Sequence, residues 1–298
     1  MDRIAYKGWE SCYYLSNGLV ELVVTGDVGP RILRFAFVDG ENVFCELEEY
    51  AGMTGGDGWR NYGGHRLWHA PESQPRTYAP DNDRVEVEEY EDFVRFVQPV
   101  EASTGIEKAM DIRLAPDRAQ VRVVHRLRNT TLWPVELAPW ALSVMAPGGV
   151  GILPLPPRGS HDDTLLPTGS LVLWAYTDMA DPRWTWGTQF VLLRQDPAAV
   201  SSQKVGASVV DGWVAYAWKE HLFVKTFEYE AGARYPDRGC SAELYTDARI
   251  LEVETLGPLT RLAPGATVQY AETWSLFSGV PVPADDRDVF ETVLPHVR

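Results

Sequence analysis

The sequence predicts an all-β antiparallel protein, a large two-layer sandwich forming one domain over residues 1–298. Three observations predict it. Apolar and polar residues alternate in some fifteen or more short runs, the period-2 signature of half-buried strands. Short turns separate the runs, and no helical segments recur between them as βαβ units require. Sheets this large must stack or close to bury their apolar faces. No internal repeat is visible, and the one convincing helix is a short tail over 284–297.

In chain order, 18–25 alternates as a strand, 26–30 turns it, and 31–38 returns. Asp39-Gly40 is a hairpin signal, and 42–46 is expected to close this meander. The Val/Glu alternation of 84–89 is answered by 93–98 across Glu91-Asp92. Residues 106–114 and 120–128 flank the turn at 115–118. The next strand is 135–145, with a bulge expected at Pro139 because proline cannot donate to a ladder. The Gly- and Pro-rich stretch 146–170 reads as a long connection, and its leucines and Ile152 are too apolar for a solvated linker. Strands resume at 171–176, 189–194, 213–218, 221–228, 240–246, 249–255 and 268–277.

Lys and Arg number 27 against 42 Asp and Glu, a formal charge of −15. That argues against duplex nucleic acid and anionic membrane as partners, since both need a basic footprint. It fits a soluble protein handling neutral or weakly charged small molecules. The three cysteines, Cys12, Cys45 and Cys240, are widely spaced and suggest neither a disulfide framework nor a zinc knuckle. No His-x-His and no acidic cluster at ligand spacing appears, so neither metal nor cofactor is implied. The first ten residues lack the apolar core of a signal peptide, and cytoplasmic residence is the expectation.

The densest stretch is 57–72, Asp-Gly-Trp-Arg-Asn-Tyr-Gly-Gly-His-Arg-Leu-Trp-His-Ala-Pro-Glu. It carries no hydrophobic period and reads as a loop. Gly63-Gly64 allows positive φ or close backbone approach just before His65 and Arg66. Aromatic faces beside charged donors suit a sugar: flat C–H faces stack and hydroxyls find hydrogen-bond partners. The alternative is a loop buried under the sheet, with Trp59 and Trp68 in the core and Arg66 pairing a carboxylate. A second stretch holds Glu252 and Glu254 on one strand face and Leu251 and Val253 on the other. Pattern alone favours a solvent face for the two carboxylates over the floor of a polar cleft.

The order Tyr245-Thr246, Glu254-Thr255, Pro258, then Leu262-x-Pro-Gly265 before a final strand resembles the C-terminal third of galactose mutarotase-like proteins. The family includes aldose 1-epimerases and hexose-phosphate mutarotases. The resemblance implies a large antiparallel β-supersandwich of roughly this length. It implies that Glu254 is the catalytic carboxylate, with Glu252 in its place if the register slips by two. Gly63-Gly-His-Arg66 resembles the segment whose arginine binds sugar hydroxyls, which assigns that role to Arg66. Epimerases carry a histidine as general acid mid-chain; here Trp140 stands about where it is expected. Anomer exchange needs a base for the O1 proton and an acid for the ring oxygen.

Among the six histidines, His65 and His69 sit in the motif stretch and are the best acids, with His65 first. His125 reads as an ordinary sheet histidine, and His161 could fold over a site. His221 and His296 read as solvated. Lys225, on an apolar strand, needs a partner, and Glu252 or Glu254 is the expected one. Asp237 could line the rim or simply turn the chain after Pro236. Trp174, Trp184 and Trp186 add a stacking wall or belong to the core. His65, Arg66, Trp68, Trp140, Lys225 and Glu254 are expected to converge on one concave face. A free sugar or sugar derivative is the expected ligand, turned over at its anomeric centre or held without catalysis.

Overall fold

Two antiparallel sheets account for all 21 strands of the computed structural model, which describes residues 1–297. The first sheet runs Asp2–Tyr6, Trp9–Ser16, Val20–Thr25, Arg31–Phe37, His65–Ala70, Val135–Met145, Leu251–Leu256, Ala242–Thr246, Gln203–Ala207, Leu171–Leu173. Thr260–Leu262 joins it beside Val135–Met145. The second runs Trp184–Trp186, Phe190–Arg194, Val150–Pro154, Trp213–Trp218, His221–Phe227, Thr267–Ser278, Gln120–Asn129, Ile106–Leu114, Val94–Val97, Glu86–Glu89.

The main core fills the space between the sheets. Trp274 sits at its centre, with its ring 5.6–6.0 Å from those of Phe35, Phe44 and Phe223. Smaller apolar clusters lie on the far faces. One, around Trp68, Trp140, Leu142 and Leu256, covers the first sheet on the side away from the second. The tail docks Val289 and Val293 against the second sheet's outer face. Its helical turns begin at Asp286, where the Asp285 side chain accepts from the Asp288 N–H and caps the start.

The all-β class stands, and several local expectations change. Residues 57–72 are not one loop: His65–Ala70 is a strand buried on both faces in the middle of the first sheet. Alternation of polarity signals a strand with one wet face, and this one has none. Asp2–Tyr6, Trp9–Ser16, Val150–Pro154 and Gln203–Ala207 are further strands beyond the expected set. Residues 42–46 make only isolated bridges, Phe44 to Met145 and Glu46 to Gly63. Pro139 makes no bulge, because its pairing with His69 continues the register on both sides. Its carbonyl accepts from Gly257 N–H. Its nitrogen therefore faces the gap between the partner strands ending at Leu256 and starting at Thr260, where no donor is needed.

Gly63 and Gly64 do what the pair suggested. Both have positive φ, +78° and +64°. A Cβ on either would lie 2.2 Å from a carbonyl oxygen, of Cys45 or Ile32. The pair lets the chain enter the sheet centre at His65.

Candidate functional site

Register and alternation build one polar patch across five adjacent strands. Leu142 pairs with Arg66 on one side and Glu254 on the other; Glu243 follows Glu254. Two residues along, Val144 pairs with Glu252, Glu252 with Tyr245, and Tyr245 with Lys204. Trp68, Trp140 and Leu256 form the next row. Side chains two apart on a strand share a face, so all of these point away from the second sheet. Above them lies a cavity of about 650 Å³. Its aromatic wall is Trp59, Trp68, Tyr78, Trp140, Trp174, Tyr176 and Tyr245, and Arg66, Lys204 and Glu252 reach it from the sheet. The volume suits a small ligand.

Arg66 donates to Glu252 at 2.8 Å, and its guanidinium lies 4.5 Å from the centre of Trp68 and 5.6 Å from that of Trp59. Its Nε and Nη1 are buried and have no acceptor among the described residues. Lys204 lies 2.9 Å from Glu254 and 2.8 Å from Glu243, between the faces of Trp140 and Trp174. The Trp140 indole donates to the same Glu254 oxygen at 2.9 Å, and the other oxygen, Oε1, has no donor among the described residues. Burial alone would lower the Lys204 ammonium, but the two carboxylates hold it well above the ordinary lysine range. Burial pushes Glu243 well up, despite Lys204. Burial also raises Glu252, and Arg66 only partly offsets it.

The structure brings some expected residues together and separates others. Arg66, Trp68, Trp140, Glu252 and Glu254 share the outer face. Only the first four line the cavity; Glu254 is fully buried beneath Trp140 and Lys204. The solvent-face reading of the two carboxylates is corrected, because every residue of their strand is buried. Asp237 takes positive φ in a turn, as the turn reading has it, and its carboxyl is raised by burial against the pull of Lys204. Trp174 and Tyr176 belong to the wall, whereas Trp184 and Trp186 pair into the second sheet.

His65 is not opposite Glu254. It alternates with Arg66 and faces the second sheet. Its Nε2 lies 2.7 Å from His125 Nε2 and its Nδ1 2.8 Å from Ser143 Oγ. His69 points the same way, 3.4 Å from Glu101. Lys225 does not pair with Glu252 or Glu254. It reaches from the second sheet to Glu272 at 3.2 Å and to the carbonyls of Ala141 and Val253. His65, His125 and Glu272 bring potential ligand atoms within 4.8 Å of one another, a grouping that no sequence spacing announced. Lys225 beside Glu272 disfavours a second cation there. His125 is buried, as the sheet-histidine reading has it, while the His161 side chain is 91 % exposed beside Asp162 and covers nothing.

Lys204 and Glu243 were missed. Gln203–Ala207 is short and Gly-containing, with too little apolar content to read as a strand, yet it is wholly buried. A charged residue in a segment without a solvated pattern was the available signal.

No family profile and no curated protein matches the chain by sequence. Solved structures do match its fold. A galactose mutarotase-like protein from Lactobacillus casei superposes with a TM-score of 0.56 at 13% identity, over 90% of this chain and 100% of that one. A galactose mutarotase related enzyme from Lactobacillus acidophilus gives 0.53 at 10%, over 92% and 99%. A TPR-domain containing protein from Parabacteroides distasonis gives 0.61 at 11%, over 91% of this chain and 48% of that one. At these identities the likeness is one of fold: the chain has the galactose mutarotase-like β-sandwich.

Proposed function

We propose that the cavity binds a sugar and that the chain exchanges its anomers by acid–base chemistry. The observation that carries this reading is the wall itself: seven aromatic side chains beside Arg66, which has two buried donors open, and beside Glu252. Rings offer stacking faces, and the open donors require acceptors that a sugar's hydroxyl oxygens supply. Glu252 lines the cavity and is the carboxylate placed to take the O1 proton. Its raised pKa brings it nearer neutrality, where a general base works best. Ring opening breaks the C1–O5 bond and leaves charge on O5. Lys204, held as an ammonium, supplies the positive charge that stabilises it. Glu254, the carboxylate assigned by family resemblance, holds Lys204 and Trp140 in place.

Saturation-transfer NMR or polarimetry on a monosaccharide panel tests the reading. Glu252→Gln should slow exchange by about 10²-fold with little change in affinity. Wild-type protein that binds a sugar without exchanging it above buffer rates would refute catalysis. That outcome defines the second reading, a carbohydrate-binding protein without turnover. It is favoured by one observation: no histidine lines the cavity among the described residues. Under it, Glu252→Gln changes affinity alone, by about 1–3 kcal/mol.

A further inference from the structure

The charges around the cavity do not balance. Three cations, Arg66, Lys204 and Arg249, meet six carboxylates: Glu72, Asp247 and Glu252 on the lining, Glu243 and Glu254 behind Lys204, and Glu49 on Arg249. Each cation is already engaged. Arg66 holds Glu252, Lys204 bridges Glu243 and Glu254, and Arg249 lies 3.0 Å from Glu49 and 3.9 Å from Asp247. Glu254 Oε1 and Glu243 Oε1 are buried without a donor, and Glu72 has only the Tyr78 hydroxyl. Protons on both raised carboxyls, Glu243 and Glu252, would still leave four negative charges against three positive. A phosphate or carboxylate on a ligand would find only Arg66 Nε and Nη1 open, on a cation already paired with Glu252. The chain's charge of −15 acts in the same sense at longer range.

Resting on the sugar-binding reading above, we infer that the preferred ligand is a basic sugar. Its class is an aldose with an ammonium group in place of one hydroxyl. The ammonium donates three hydrogen bonds where a hydroxyl donates one, and it meets a field of unmatched carboxylates beneath an aromatic wall. Arg66 Nε and Nη1 remain for the neutral hydroxyls.

Calorimetric or NMR titration of the intact chain tests this with five probes: glucose, galactose, 2-amino-2-deoxyglucose, 6-amino-6-deoxyglucose and glucose 6-phosphate. At low salt, one of the amines should bind about tenfold more tightly than its parent, and the phosphate about tenfold more weakly or not at all. The amine advantage should shrink as salt rises. Glu72→Gln and Glu252→Gln should each reduce it several-fold. A parent sugar that binds as tightly as both amines overturns this inference and leaves the sugar reading standing. So does glucose 6-phosphate as the tightest ligand. An amine advantage that survives both substitutions places the ammonium outside this cavity and overturns it too. No binding by any probe overturns both readings.

Discussion

Two buried charge clusters lie on opposite faces of the first sheet. The inner one faces the second sheet and closes on itself. Lys225 donates to Glu272 and to the carbonyls of Ala141 and Val253, and Glu272 also accepts from Thr255 and Trp274. The histidines complete it. His125 Nδ1 lies 3.1 Å from the Tyr270 carbonyl and must donate there, so its Nε2 accepts from His65, whose Nδ1 accepts from Ser143. The outer cluster has similar residues and leaves Arg66 Nε and Nη1 open at the cavity, with Glu254 Oε1 unpaired in the layer beneath it. Groups buried for structure are satisfied internally; open ones beside a cavity are available to a ligand.

The largest effect should come from opening the closed cluster. Lys225→Met strands Glu272 as an unpaired buried charge and should cost about 3–5 kcal/mol in urea unfolding. Lys204→Met should cost less than half of that, since Glu243, one of its two carboxylate partners, is raised and can take up a proton instead. Equal losses would erase the distinction between the clusters.

pH should separate the two faces by sign. Burial raises Glu101, but Lys108 and His69 outweigh it and hold the carboxyl at about 2, below its ordinary 4.5. A lowered carboxylate stabilises the fold above the unfolded value and loses that contribution as pH falls through the folded one. Stability should therefore fall between pH 4.5 and 2, by on the order of 3 kcal/mol from this group. Glu101→Gln should flatten that limb in acid titrations followed by circular dichroism. Lowered Glu272 acts in the same direction. Glu243 and Glu252 are raised, so their contribution is complete below the unfolded value and is lost as pH rises through the folded ones. Glu243→Gln should make stability less sensitive to rising pH; an unchanged profile would place Glu243 outside this linkage.

The smallest effect is expected at His161. Its exposed ring touches only Asp162, and His161→Ala should change stability by less than about 0.5 kcal/mol and leave sugar affinity unaltered. A loss of affinity would show that the 146–170 connection reaches the cavity.

Much of the sheet was legible because period-2 alternation survives wherever one face is wetter than the other. Residues 120–128 are the example, matching Gln120–Asn129, where buried residues alternate with exposed or half-buried ones. His65–Ala70 and Gln203–Ala207 were illegible for the opposite reason. Both faces of each are buried, and their polar residues meet partners rather than water.

By itself, the sequence determined the all-β class, the close-packed glycine pair at Gly63-Gly64, and the aromatic and charged inventory of 57–72. These are local properties: alternation, backbone freedom and residue type. Which face each residue serves was decided only by tertiary structure. One step of register puts Arg66 and Trp68 on the cavity and His65 and His69 in the inter-sheet core. Lys204 meets Glu254 across 50 residues, and Lys225 meets Glu272 across 47. Ion pairs of that span depend on which strands become neighbours, and strand order is set by the packing of the whole sandwich rather than by any short stretch of chain.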